Sequence, residues 1–204
     1  MKVGVIGAGT MGSGIAQAFA VTEGYEVVLC DIQESFAENG KKKIQANLEK
    51  LVSKGKMEEA KKDAILSKIT TGMKEKVADF DLVVEAAIEN MQANRELFLA
   101  LQSICKKETI FSTNTSSLSV TELSSKLDRP VIGMHFFNPA PVMKLIEIVV
   151  GLNTPQDLVD RISEIAKEIG KTPVIAKDAA GFIVNRILVP MINEAIGIYA
   201  DGTA

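Results

Sequence analysis

Cysteine is scarce. Cys30 and Cys105 are the only two in 204 residues, they lie far apart, and they form no C-x-x-C pair. A disulfide framework and a redox dithiol are thereby excluded, and both read as buried thiols of a reducing compartment. Positive charge is not in surplus: 23 Lys and Arg against 26 Asp and Glu leave a formal net charge of −3. No overall basic surface results, so the composition gives no support for nucleic-acid binding. Long apolar runs are missing too. Glu147, and then Asn185, Arg186 and Asn193, interrupt the candidates, so no membrane span is expected. Met1-Lys2 runs straight into a strand pattern and leaves no room for the apolar core of a signal peptide. Histidine is scarcer still, with the single residue His135, and no metal site is expected. A soluble cytoplasmic protein is the expectation. The length suits one large domain, or one domain plus part of another.

Lys2 to Ile6 is a short apolar run, followed by a helical pattern from Met11 to about Val21 and a second strand from Glu26 to Asp31. Strand, glycine turn, helix and strand make a βαβ unit, whose apolar strands predict a parallel sheet covered on both faces. Two helical segments follow, Glu34 to Ser53 and Met57 to Ser67, a lysine-rich hairpin broken at Lys54-Gly55-Lys56. Further strands are expected at Leu82–Glu85, Thr109–Ser112, Val131–Phe136, Leu145–Val150 and Pro173–Ala176. Helices are expected over Gln92–Cys105 and Pro155–Ile169, the latter closed by Gly170. Phe182 to Tyr199 is one long apolar helical pattern, and the sequence stops at Ala204. A helix this apolar needs partners, so the expectation is a truncated second domain or packing against another chain.

Gly7-x-Gly9-x-x-Gly12 follows the first strand and opens the first helix. Gly7 permits the tight turn, Gly9 lets the backbone approach a pyrophosphate, and Gly12 allows close packing of helix on strand. The phosphates would sit over the helix N-terminus, where free N–H groups and the helix dipole favour negative charge. Asp31 ends the second strand nineteen residues after Gly12. A carboxylate there accepts hydrogen bonds from both ribose hydroxyls and repels a 2′-phosphate, which selects NAD over NADP. The fold expected is therefore α/β. A Rossmann-type, mostly parallel sheet with a helical hairpin insertion spans residues 1–182. Residues 183–204 are the first helix of an all-helical substrate and dimerisation domain.

His135 ends an apolar run before a turn built from Asn138, Pro139, Ala140 and Pro141, and the apolar run beyond it holds one carboxylate, Glu147. Two short strands joined by a turn bring such a pair together. Glu147 would then hold the imidazole in one tautomer and stabilise its charged form, as a proton-transferring base beside a nicotinamide requires. A core histidine satisfied by a carbonyl, with a solvent-facing glutamate, is the other reading. Thr113-Asn114-Thr115-Ser116-Ser117 follows a strand at its C-terminal end, where ligands bind in open α/β sheets. Asn185, near the start of the last helix, can both donate to and accept from a substrate oxygen. A helix cap at Ser116 or Ser117 and a solvent-facing amide at Asn185 stay open beside these roles.

Gly7-Ala-Gly-Thr-Met-Gly-Ser-Gly-Ile-Ala, Asn114-Thr115-Ser116-Ser117-Leu118, His135-Phe136-Phe137-Asn138-Pro139, Met143-Lys144-Leu145 with Glu147, and Gly181-Phe182-Ile183-Val184-Asn185-Arg186 occur in that order. In this combination the chain resembles the 3-hydroxyacyl-CoA dehydrogenase family along its whole length. The resemblance implies NAD-dependent, reversible oxidation of a short-chain CoA thioester, (S)-3-hydroxybutyryl-CoA, to acetoacetyl-CoA, in fatty-acid and butyrate metabolism. It implies that His135 is the base, Glu147 its partner, and Ser116 and Asn185 the groups that position substrate. Thr10, Met11, Glu89, Asn114 and Asn138 would lie on the cofactor side, while Lys50, Lys54 and Lys56 of the hairpin would meet CoA. A homodimer formed through C-terminal helices is implied as well. The family usually has a lysine where Asn94 stands, next to Arg95, and a proline where Ala180 stands. Its members also continue through several more helices. Two rivals remain at this stage: a related dehydrogenase of a free hydroxy acid, and a fragment that holds NAD without turnover.

Overall fold

A computed structural model describes residues 1–204. Eight strands form one sheet: β1 (Lys2–Ile6), β2 (Glu26–Cys30), β3 (Ile69–Gly72), β4 (Leu82–Glu85), β5 (Ile110–Thr113), β6 (Val131–Phe136), β7 (Leu145–Val150) and β8 (Thr172–Lys177). Seven helices connect or follow them: α1 (Thr10–Val21), α2 (Glu34–Ser53), α3 (Glu59–Ser67), α4 (Met91–Ile104), α5 (Val120–Ser124), α6 (Gln156–Glu168) and α7 (Val184–Ala200). The strand order is β3-β2-β1-β4-β5-β6-β7-β8. Every neighbouring pair is parallel except β6–β7. The Rossmann-type α/β sheet expected from the sequence is thus the observed one, with β3 and α5 added to it.

Alternation along the strands divides the core. Val3, Val5, Val27, Leu29, Leu82 and Val84 face α1, α2, α3 and α6, whereas Val28, Val83, Phe111 and Val131 face α4 and α5. Both faces are therefore covered, which is why the strands read as continuous apolar runs. α6 ends as its glycine predicts. Gly170 has φ +73°, its N–H reaches Lys167 O at 2.9 Å, and the Lys171 N–H reaches Ala166 O at 2.9 Å, a Schellman closure. Because β1 lies between β2 and β4, the chain leaves β1 and β4 in opposite directions across the sheet. Ligands bind in the crevice that this reversal opens at the C-terminal strand ends.

The final helix differs from the rest. None of the residues of α7 is buried, and Ile187, Val189, Met191, Ile196 and Tyr199 are all exposed. No helix of the structure is long and apolar enough to cross a membrane.

Candidate active site

The glycine loop is built as tightly as its spacing demands. Gly7 has φ +103°, and a Cβ on it would lie 2.5 Å from Ala86 O; one on Gly12 would lie 1.7 Å from Gly7 O. Neither position admits a side chain. Gly9 differs, since a Cβ there would meet nothing within 4 Å, and no side chain caps the first turn of α1. The loop thus presents an open cradle at a helix N-terminus whose first N–H groups have no intrahelical partner. Asp31 braces that cradle. One carboxylate oxygen accepts the Ala8 N–H at 2.7 Å and the other the Ile32 N–H at 2.7 Å. Each oxygen keeps a further lone pair for a ribose hydroxyl. These residues fit a dinucleotide.

The turn between β6 and β7 sets His135 directly opposite Glu147 in the antiparallel register. Nδ1 of His135 lies 2.6 Å from Oε2 of Glu147, and the two residues are 6% and 1% exposed. The other oxygen, Oε1, accepts the backbone N–H groups of Ile183 at 3.0 Å and Val184 at 2.9 Å, at the start of α7. Both oxygens of the carboxylate are thus hydrogen-bonded, through three donors in all, which makes its burial tolerable. Phe137 and Phe182 stand against the imidazole at centroid distances of 4.7 and 5.6 Å. They leave Nε2 as the ring nitrogen without a protein partner.

A cavity of about 370 Å³ opens before this pair, lined by Met11, Glu89, Asn114, Ser116, Asn138 and Asn185 among others. Glu89 organises one wall: it accepts Thr115 Oγ1 at 2.6 Å, Ser116 N at 2.6 Å and Ser116 Oγ at 3.1 Å. Asn114 ties β5 to β6 by accepting the Phe136 N–H at 2.9 Å. A second groove, of about 560 Å³, runs between α1, α2 and the Asn138–Val142 turn, and Asn138 belongs to both walls.

The family profile described as "3-hydroxyacyl-CoA dehydrogenase, NAD binding domain" matches residues 2–179. The chain belongs to the 3-hydroxyacyl-CoA dehydrogenase family. It is 49% identical to a 3-hydroxybutyryl-CoA dehydrogenase of Clostridioides difficile over all of its own length and 73% of that protein's. It is 43% identical to the human mitochondrial hydroxyacyl-coenzyme A dehydrogenase, over 99% of itself and 67% of the relative. Among solved structures, the (S)-3-hydroxybutyryl-CoA dehydrogenase of Ralstonia eutropha superposes with a TM-score of 0.95 at 40% identity, covering all of this chain and 72% of that one. The cofactor of this dehydrogenase domain is NAD.

Against that family background, the residues singled out from the sequence fall into three groups. Met11, Glu89, Asn114, Ser116, His135, Asn138 and Asn185 line one cavity, with Glu147 buried behind it. Gly7, Gly9, Gly12 and Asp31 form the cofactor cradle, and Thr10 lies on the second groove. Lys50, Lys54 and Lys56 line neither space and are exposed; the hairpin residues on the groove wall are Lys43, Asn47, Leu51 and Met57. Asn94 is buried in α4, and Arg95 beside it is bound to α5. Its Nε and Nη2 are committed to Glu122 O of α5 at 3.1 and 3.0 Å.

Sequence reasoning missed Glu85, a carboxylate 2% exposed at the end of β4 beneath the glycine loop. It accepts the Ala87 N–H at 2.7 Å and Thr113 Oγ1 at 2.6 Å. Burial, with the Glu89 charge adding to it, raises its carboxyl above the ordinary range against the pull of those hydrogen bonds. The available signal was a charged residue closing an apolar strand at the ligand-binding edge.

Proposed function

We propose that the protein interconverts (S)-3-hydroxybutyryl-CoA and acetoacetyl-CoA, with His135 as the acid–base residue. The observation that carries this reading is the buried His135–Glu147 pair facing a cavity that also presents Ser116 and Asn185. The names of the similar relatives support the substrate. The glycine loop and Asp31 would hold NAD, which when bound would supply the hydride acceptor for oxidation at the substrate's C3 and the hydride donor for reduction.

The residues of the chain do the rest. Glu147 receives the Nδ1–H, so the Nε2 lone pair faces the cavity and takes the hydroxyl proton of the substrate. In reduction the imidazolium, stabilised by the same carboxylate, returns that proton to the developing alkoxide. Ser116 and Asn185 hold the reacting oxygen and the thioester region. The CoA arm leaves past Asn138 into the α1–α2 groove, with Lys50, Lys54 and Lys56 beyond it near the nucleotide end. On this reading residues 1–182 are the NAD-binding domain and 183–204 begin the helical domain. The exposed apolar residues of α7 support association of two copies there, which light scattering tests. The two buried thiols suit a cytoplasmic location.

Losing a general base removes about two to four decades of rate. The test is NADH oxidation with acetoacetyl-CoA by the unaltered chain and by His135→Gln. The variant should lose that much turnover and keep its affinity for NADH; undiminished turnover would overturn the assignment. The bare α7 favours a second reading, in which the chain holds NADH without turning over. Its signature is a parent chain that binds NADH and leaves it unoxidised.

A further inference from the structure

The α1–α2 groove contains a polar group that the proposed chemistry does not use. α1 is an apolar helix, and its polar side chains, Thr10, Ser13 and Gln17, lie on a single stripe with Gly14 and Val21. That stripe, at i, i+3, i+4, i+7 and i+11, faces the groove. Ser13 is satisfied internally, its hydroxyl donating to Ala8 O at 3.0 Å. Gln17 is not. It is 4% exposed, and its Oε1 has no hydrogen-bond partner. Leucine or methionine would fill the same space without an orphaned oxygen, so packing does not explain the glutamine. The terminal torsion of glutamine is broad and roughly two-fold, so either end of the carboxamide can be presented to the groove that the residue lines.

The groove also restricts what the carboxamide can meet. Its wall combines apolar residues (Val21, Leu51, Met57, Val142) with neutral amides (Gln17, Asn47, Asn138) and a single cation, Lys43. Such a lining suits a flexible chain of methylenes carrying secondary amides, and suits phosphate poorly. Asn138 lines both this groove and the His135 cavity, so the groove adjoins the place where the reacting end would lie. We propose that Gln17 is a specificity-determining residue: its carboxamide hydrogen-bonds a secondary amide of the substrate's pantetheine arm. This rests on the CoA-thioester reading and adds to it a means of rejecting thioesters that lack the arm.

The test compares the parent with Gln17→Leu, and with Gln17→Met should leucine fail to fold. The substrates are acetoacetyl-CoA, acetoacetyl-S-pantetheine, S-acetoacetyl-N-acetylcysteamine and the amide-free S-ethyl thioester. Gln17→Leu should raise KM for the CoA and pantetheine thioesters about tenfold, equivalent to about 1.4 kcal/mol, with kcat within about twofold, the pattern of lost uniform binding. The N-acetylcysteamine thioester, which keeps only the amide nearest sulfur, tells which amide is read. A KM that does not move, or that moves equally for the S-ethyl thioester, overturns the proposal and leaves Gln17 a buried residue with an internal water. Should the parent not turn over, the activity reading fails separately. The same comparison is then made on calorimetric affinity for acetoacetyl-CoA with NADH present, where equal affinities, or no binding to either protein, overturn the role of Gln17.

Discussion

Replacing Glu147 by glutamine should change which nitrogen of His135 carries the proton. The carboxylate serves three donors: two backbone N–H groups, of Ile183 and Val184, on Oε1 and the imidazole on Oε2. A carboxamide has one oxygen and one NH2. With the NH2 toward the backbone, both part-buried N–H groups lose their acceptor, at a cost of up to about 1–3 kcal/mol each. With the oxygen there, all three hydrogen bonds survive in number, provided that Nδ1 becomes an acceptor. The second arrangement should win, which forces the proton to Nε2 and removes the lone pair that faces the cavity. Since His135 is the only histidine, a long-range hydrogen–nitrogen correlation spectrum reads its tautomer without ambiguity and without turnover. The parent should show the Nδ1–H form and Glu147→Gln the Nε2–H form, with a melting temperature close to the parent's. In a parent that turns over, the same variant should lose about two to four decades of rate. A variant that keeps its proton on Nδ1 would refute the reasoning, because the carboxamide would then have abandoned α7 for the imidazole.

Gly12→Ala should destabilise the fold by about 3 kcal/mol or more and weaken NADH binding. Its Cβ would sit 1.7 Å from Gly7 O, a backbone atom that cannot step aside; urea unfolding with a parent-like midpoint would contradict this. Glu85 predicts a pH dependence. Its carboxyl is raised by burial in the fold, so the native state keeps that proton to higher pH than the unfolded chain. Its contribution therefore erodes as pH climbs from the ordinary value of 4.5 through the folded one. Glu85→Gln should flatten that part of the stability profile, and identical slopes of urea midpoint against pH in parent and variant would count against it.

How much of this was legible in the sequence depends on the kind of signal each residue leaves. The βαβ start and the β6–turn–β7 arrangement were legible because apolar runs of strand length ended at glycine or proline turns. β3 was not: Ile69-Thr70-Thr71-Gly72 is an edge strand with a single buried hydrophobic side chain, so it has no apolar run to read. α5 has five residues inside a Ser/Thr-rich stretch and is capped by Ser119, with Asp178 reaching over from the end of β8. The lysine hairpin gave composition without phase. On α2 the groove-facing stripe takes Lys43, Asn47 and Leu51 at i+4 spacing, which a count of lysines cannot reveal. Gln17 and Glu85 read as ordinary polar residues on an amphipathic helix and at a strand end. Whether either had a partner was decided by distant parts of the chain.

The turn into α7 gives the clearest case of local preference overruled by the site. Gly181 has φ +74° and is followed by Phe182 at φ +47°, a left-handed conformation that a bulky residue adopts at a cost of about 1–3 kcal/mol. A second glycine or an asparagine would make the same turn with less strain. Phenylalanine repays the difference by contacts no small residue makes. It is 5% exposed, clusters with Val120, Val149 and Ala176, and lies edge-on to the His135 ring. The same reversal aims the Ile183 and Val184 N–H groups at Glu147 and brings Asn185 to the cavity. One strained residue thus fixes the imidazole, the carboxylate behind it and the amide in front of it, which accounts for an aromatic ring where turn chemistry alone would select glycine.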